Sequence, residues 1–375
     1  MSASPRIIVV GAGIIGASIA WHLARAGASV TVIEAGQAGG IATRTSWAWI
    51  NASHGNPERY FRLRIRAMEE WRRLERDLPR LRVAWSGGLI WDLPADSLRA
   101  FAAEHAAWGY DIRQVDRAEI QRLEPELAAP PELALHAAGE GAVEPLSATL
   151  ILLQAAEGLG ARLIADSPVR GLEFRGDRVT GVETAAGRLA ADEVILAAGT
   201  ETPALAAMAG FQLPLAAPPG LLVSTAPAPR LLNGLVIAPA LHLRQTAEGR
   251  LLAGADFGGS DPGTEPAAEA ATVFEGMRQM LRAGAALAFD FHTVGYRPTP
   301  ADGFPAVGRL PGIAGLSLAV THSGITLAPA IARFLAEEIL SGRRDPLLAP
   351  YGPERFRPAP DFPRKTAEAR ISSES

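Results

Sequence analysis

Apolar and polar positions alternate between two periods along this chain. Residues 7 to 10, "IIVV", form an unbroken β-branched run of the kind that makes a strand covered on both faces. The run breaks at once into Gly11-Ala12-Gly13-Ile14-Ile15-Gly16, after which Ala17, Ala20, Leu23 and Ala24 recur at helical spacing and Gly27 closes the helix. "ASVTVIE" returns to strand pattern and ends on Glu34. Further on, "ARLIADSPVRGLEF" predicts a strand, a turn and a strand, and "LAADEVILAAGTET" a buried strand closed by small residues. In "ALHLRQ" the alternation sets His242 and Arg244 on one face. The apolar run of Phe289, Phe291, Val294 and Tyr296 delivers Arg297 to a loop of proline, glycine and aspartate. "THSGITLAPAIARFLAEEIL" predicts a glycine-containing turn followed by a helix whose face includes Ile331, Phe334, Leu335 and Ile339.

A chain of 375 residues exceeds the size at which one hydrophobic core usually stops growing, so two domains are expected. A net charge of −4 and a pI near 6.0 supply no basic field for nucleic acid, which leaves small molecules or proteins as partners. The chain has no cysteine, which removes disulfides, thiolate metal sites, cysteine nucleophiles and any cofactor tethered through sulfur. That absence fits a reducing cytoplasm, the expected location. "IIVVGAGIIGASIAWHLA" is apolar enough to suggest a signal or membrane segment. Its internal glycines, and its closure at His22 and Arg25 without a small-residue cleavage site, favour a strand, turn and helix instead. No integral membrane segment is expected.

Each part of the first motif has a physical task. Gly11 permits the tight turn, Gly13 lets a pyrophosphate approach the helix N-terminus, and Gly16 lets the helix pack closely on the strand. Glu34 lies 18 residues after Gly16, where an acid accepts hydrogen bonds from a ribose and disfavours a 2′-phosphate. Strand, glycines, helix, strand and acid in that order point to a dinucleotide, without distinguishing NAD from FAD. The following stretch, "GQAGGIATRTSWAWINASHGN", bears on that choice. Its glycines allow close approach, and Thr43, Arg44, Thr45 and Ser46 offer donors to phosphate oxygens. It reads either as a polar surface loop with two stray tryptophans or as a cofactor loop whose tryptophans meet the apolar face of an isoalloxazine ring.

At this point the chain resembles the FAD-dependent amine oxidoreductases of the D-amino acid oxidase family, which include glycine oxidase, sarcosine oxidase and D-amino acid dehydrogenase types. The resemblance is carried by "VVGAGIIGASIAWHLARAGASVTVIEA", "GGIATRTSWAWIN", "GAVEPLSATL", "DSPV", "EVILAAG", "EGRLLAGADF", "GYRPTPADGFPAVG" and "HSGITLAP", in that order. It implies an α/β fold in which a discontinuous Rossmann-like FAD-binding domain (1–80, 142–212 and 292–345) meets an antiparallel-sheet substrate domain (81–141 and 213–291), followed by a tail, 346–375. Proline-rich junctions such as "EPELAAPPEL" and "LPLAAPPG" suit such crossings, and the chain after Arg357 has no periodicity and is expected to fray.

Carried over residue by residue, the resemblance places FAD against Gly11, Gly13, Ile14, Ile15, Gly16, Glu34, Ala35, Thr43, Arg44, Thr45, Ser46, Val169, Ala198, Gly199, Gly324, Ile325 and Thr326. Binding is expected to be noncovalent, because a thioether link needs a cysteine; a histidyl link stays open. The N-terminus of the last helix, with its unsatisfied N–H groups, would face the N1–C2=O edge of the flavin. Arg297, His242, Arg244 and Trp49 are the expected substrate contacts, and Arg297, His242 and His322 the catalytic candidates. His242 stands where glycine oxidase has a tyrosine reaching the substrate carboxylate, a departure that bears on substrate size and polarity.

Arg297 is read as forking onto an α-carboxylate through two parallel hydrogen bonds. The alternative is a strut salt-bridged to Asp302 or Glu265. His322 serves equally as a packed histidine, and Arg244 as an exposed edge arginine. The activity implied is oxidation of the C–N bond of an amino acid or related amine: hydride passes to FAD, and the imine hydrolyses to an oxo acid. Oxygen, a quinone or a protein would reoxidise the flavin. The rival is a flavoprotein subunit of a heteromeric dehydrogenase or relay. No metal is expected, since there is no HExxH and no two histidines lie within five residues. Oligomeric state is left open.

Overall fold

The computed structural model describes residues 4–53, 55–255, 262–263 and 265–356. Its centre is a six-stranded sheet in the order Ala306–Arg309, Leu316–Val320, Glu193–Leu196, Arg6–Val10, Ser29–Ile33 and Arg162–Ile164. All neighbours run parallel except the first pair. The β-branched run behaves as its composition requires. Ile7 and Val9 pack into a cluster shared with the helices Ile14–Arg25, Pro145–Gly158 and Gly324–Ser341, while Ile8 and Val10 face a second cluster holding Val179, Val182 and Leu196. The strand is therefore covered twice, by helices on one side and by the antiparallel sheet of Val169–Arg175, Arg178–Thr184 and Gly187–Ala190 on the other.

A second layer is an eight-stranded sheet in the order Phe289–Tyr296, Pro219–Thr225, Leu251–Gly254, His242–Gln245, Leu235–Ile237, Gly88–Ile90, Leu133–Ala137 and Ile112–Asp116. Only the pair of Leu235–Ile237 with Gly88–Ile90 is parallel. Leu243, Val223 and Ala253 on one face pack under the helix Pro266–Met280. Leu222 and Leu252 on the other face pack against the cluster around the parallel sheet. The fold is thus mixed α/β with both parallel and antiparallel sheets.

The apolar run before Arg297 is an edge strand whose aromatic side chains face outward: Phe289, Phe291 and Tyr296 are 44%, 45% and 49% exposed. It pairs along its length with Pro219–Thr225, and residue 292 falls inside it, so the chain leaves this sheet only after Tyr296. His242 and Arg244 lie on an interior strand and both are buried, which rules out an exposed edge arginine. The start of the expected tail is packed. Leu348 and Tyr351 are buried, and the Tyr351 ring lies 5.8 Å from Tyr60 and 6.0 Å from Phe304. The expected fraying concerns 357–375, outside the described residues.

Among the described residues no helix is long and apolar enough to cross a membrane.

Candidate functional site

The parallel strands all point their carboxyl ends at one edge, and the turns that follow them gather most of the predicted cofactor contacts there. Gly11 follows Val10, Glu34 follows Ile33, Ala198 and Gly199 follow the strand ending at Leu196, and Thr321 to Gly324 follow Val320. Such an edge is where open α/β sheets bind ligands. Gly11 has φ +107°, and a Cβ there would stand 2.5 Å from the carbonyl oxygen of Ala197. A Cβ on Gly16 would overlap the carbonyl oxygen of Gly11. Gly13 begins the Ile14–Arg25 helix without a side-chain cap of its own; instead the Ile14 amide donates to Thr43 Oγ1 at 3.2 Å.

Glu34 is already anchored. Its Oε2 accepts from the Ala12 amide at 2.7 Å and its Oε1 from the Gly36 amide at 3.1 Å, with lone pairs left over for hydroxyl donors. Ala35 is exposed beside it, and Val169 opens its strand half-buried. The start of the last helix packs on the start of the first: a Cβ on Gly324 would touch Ile15 at 3.7 Å and Ile14 at 3.9 Å. Ile325 and Thr326 are buried behind it, and Thr326 Oγ1 donates to the carbonyl of Trp49 at 3.0 Å. Two helix N-termini and a row of glycines thus surround one trough. These residues fit a dinucleotide that carries an anionic centre and a bulky ring.

The loop after the glycines links this trough to the eight-stranded sheet. Arg44 donates through Nη2 to the Ala38 carbonyl, and Ser46 Oγ accepts from the amide of Ala48, whose φ is +65°. Thr45 lies so close to the strand before Arg297 that Gly295 has no room for a side chain. Trp47 Nε1 donates to the Leu252 carbonyl at 3.3 Å, and its ring lies 6.0 Å from Trp49 and 6.4 Å from His242. Trp49 and His242 are therefore brought together through Trp47.

Arg297 is half-buried at the end of its strand. Its Nη1 donates to the Pro219 carbonyl at 3.4 Å, and its guanidinium lies over Gly220, where a Cβ would come within 2.6 Å. Neither predicted strut partner engages it. Asp302 is held by Arg355 at 2.6 and 3.1 Å, and Glu265 is exposed before the helix Pro266–Met280.

His322 presents an exposed edge yet is crowded by protein. Desolvation, followed by the charge of Arg64 and, to a lesser extent, of Arg297, lowers its pKa to about 4, with a backbone hydrogen bond to Gly303 opposing the shift. The imidazole is therefore neutral at pH 7. Flavin reduction should then show no ionisation near pH 6.5 that disappears in His322→Asn; a pH profile that flattens in the variant assigns that ionisation to His322.

Arg244 is not part of this cluster. It is 2% exposed, donates from Nη1 to Glu144 Oε1 at 3.0 Å, and lines a separate cavity of about 590 Å³ with Arg80, Arg82 and Arg230. Sharing a strand face with His242 did not place the two in one cavity: His242 is not among the residues that line this one.

Three residues of this region carried no sequence signal. Glu140 is fully buried and accepts from Trp49 Nε1 at 2.9 Å, Tyr110 Oη at 2.6 Å, and the amides of Ser53 and Ala52 at 3.1 and 3.4 Å. Desolvation pushes its carboxyl up, and desolvation, followed by the Glu140 charge, pushes the Tyr110 hydroxyl well above the phenol range. Arg64, on the helix Glu58–Asp77, donates to Asn51 and Ser323. A lone acid within "AAGEGAV", or one arginine among several on a helix, is indistinguishable from a surface charge until long-range packing is known.

Glu34→Ala should weaken FAD by about 1.5 to 3 kcal/mol, the range for a hydrogen bond to a charged group. That is roughly ten- to hundredfold in dissociation constant. Unchanged affinity on fluorescence titration of the apoprotein would place the ribose elsewhere.

A family model described as "FAD dependent oxidoreductase" matches residues 6–338. The chain is 30% identical to a glycine oxidase of Pseudomonas aeruginosa, covering 93% of this chain and 99% of that protein. It is 28% identical to a D-amino acid dehydrogenase of Cereibacter sphaeroides, covering 94% and 95% respectively. Among solved structures, L-proline dehydrogenase from P. horikoshii superposes with a TM-score of 0.84 at 25% identity, over 95% of this chain and 98% of that one.

Proposed function

The chain belongs to the FAD dependent oxidoreductase family, and on that premise we propose that it oxidises the C–N bond of an α-amino acid: glycine, a D-amino acid, or an N-alkyl or cyclic amino acid. The observation that carries the reading is the position of Arg297. It is a half-buried guanidinium seated over a glycine backbone, close enough to act electrostatically on His322, which adjoins the start of the last helix.

In this reading Gly11, Gly13, Gly16 and Glu34 hold the adenosine and pyrophosphate half of FAD, and the Thr43 to Ser46 turn and the start of the Gly324–Ser341 helix hold the rest. Bound FAD supplies the acceptor for the hydride released from the substrate α-carbon, and the resulting imine hydrolyses in water. Arg297 binds the carboxylate through its fork and so orients the α-C–H bond. Trp47, Trp49 and His242 close one side and exclude water. Neutral His322 adds no second positive charge beside the amine. No side chain needs to remove a proton if the amine arrives uncharged. Trp49 is held in place by Glu140, so Glu140 positions a wall of the pocket. The division into a cofactor domain and a substrate domain, with crossings near residues 80, 142 and 212 and the last one after Tyr296 instead of at 292, is part of the same proposal and is supported by the separation of the parallel and eight-stranded sheets.

The test is an anaerobic titration of the purified yellow protein with D-amino, N-methyl and cyclic amino acids and with simple amines lacking a carboxylate. Bleaching of the flavin by amino acids alone is expected; bleaching by the simple amines would remove the carboxylate from the reading. Acid precipitation of the same sample should leave the flavin in the supernatant. Reoxidation by air or by a quinone then identifies the electron acceptor.

A further inference from the structure

The helix Glu58–Asp77 is rich in arginine, and its arginines divide into two kinds. Arg62 and Arg66 lie at the surface in ion pairs with Glu58, Glu69 and Glu70. Arg64 points inward and is 6% exposed. Its Nε donates to the Asn51 carbonyl at 3.0 Å, its Nη1 to Ser323 Oγ at 2.9 Å, and its Nη2 to Asn51 Oδ1, while its guanidinium lies 5.4 Å from the Tyr60 ring. Every one of these acceptors is neutral. Among the described residues no carboxylate lies within ion-pair distance of Arg64, and buried Glu140, beyond the Asn51–Ser53 turn, is occupied by Trp49, Tyr110 and two amides.

A buried charge without an opposite charge is costly, by several kcal/mol even after relaxation. The cost is recovered if an anion belongs beside it. The place where that anion would sit is indicated by Ser323, which immediately precedes the Gly324–Ser341 helix and makes no side-chain cap to it. The positive pole of this helix and the Arg64 cation therefore converge. His322 feels the field, with Arg64 as the largest charge acting on it.

We infer that Arg64 is the buried counter-charge for the pyrimidine edge of the flavin in its reduced, anionic state, acting through Ser323 at the head of the last helix. This rests on the flavin position proposed above. When a hydride, two electrons and one proton, leaves the substrate α-carbon for the ring, the ring gains one negative charge. Arg64 and the helix pole stabilise that charge with no second proton needed. Arg64 acts through Ser323 and is a positioning residue; the competing role is a strut tying the Asn51 turn to the helix.

The experiment uses FAD-loaded Arg64→Met, which keeps bulk and loses charge, and Arg64→Lys, which keeps charge and loses the fork. Sulfite, which adds to oxidised flavin and places a negative charge on it, is the probe, read by loss of visible absorbance alongside the midpoint potential and melting temperature. Arg64→Met should weaken sulfite binding about tenfold or more, corresponding to a potential lower by about 30 mV for a two-electron couple. Arg64→Lys should keep most of both. Equal melting losses in the two variants with sulfite affinity and potential unchanged make Arg64 a strut and overturn the inference. A measurement on the parent protein stands independently of either variant folding: its reduced flavin should keep the anionic spectrum as the pH is lowered to 6, and a neutral reduced spectrum overturns the inference. Purified parent protein that binds no FAD overturns the flavin reading itself, a separate result.

Discussion

Arg297→Ala should retain FAD and the parent melting temperature while losing about thirtyfold or more in the efficiency of flavin reduction by an amino acid, since truncating one partner of a buried charged pair costs about 2 to 5 kcal/mol. Flavin should stay because the guanidinium lies over Gly220 and Pro219 in the eight-stranded sheet, not in the glycine trough. Asp302 would lose nothing, being clasped by Arg355. Arg297→Lys should recover only part of the rate, because an ammonium cannot make two parallel bonds to one carboxylate. Stopped-flow reduction and a melting curve on the same preparations separate the possibilities. A variant that melts early, sheds flavin and yet reduces at the parent rate would make Arg297 a strut and release the substrate from needing a carboxylate.

Gly16→Ala should have the second large effect, on the cofactor this time. The added carbon would overlap the Gly11 carbonyl oxygen, which is backbone at the turn itself and cannot rotate away. Overpacking costs about 1 to 3 kcal/mol and occasionally more. Here it would also push the Ile14–Arg25 helix, and the amides at its start, off the strand that positions them. The expected outcome is a sharp fall in flavin per protein with a lower melting temperature. Gly158→Ala, at the end of the Pro145–Gly158 helix where a Cβ meets nothing within 4 Å, is the control and should bind flavin normally. Full flavin occupancy in Gly16→Ala would mean that the close packing of helix on strand is not what shapes the trough.

The two variants probe sites of different legibility. Gly16 could be read from the chain because its constraint is local: strand, turn and helix follow one another within a few residues, and the change from β-branched run to helical spacing marks where the backbone must fold tightly. Glu34 was legible for the same reason, one helix further on. Arg297 was legible as a cation delivered by an apolar run. The strand itself was legible too, but its place was not: only the pairing order shows that it lies at an edge with those rings outward.

The chain alone determined the strand, glycine turn, helix and acid of the dinucleotide motif, because each is set by neighbours in sequence and by periodicities of two and 3.6 residues; packing of the Gly324 helix start and of Ala197 against them completes the trough. Tertiary structure decided which charged side chains meet. Arg244 shares a face with His242 in any strand, yet its fate depends on Glu144, 100 positions earlier. Arg64 reads as one more surface arginine until Ser323, 259 positions later, is folded against it, and Glu140 acquires its meaning only when Trp49 and Tyr110 arrive from separate segments. Burial is the physical reason. A local pattern specifies the direction in which a side chain points, but the cost or gain of its charge depends on how much water the rest of the fold removes and which partners it leaves behind.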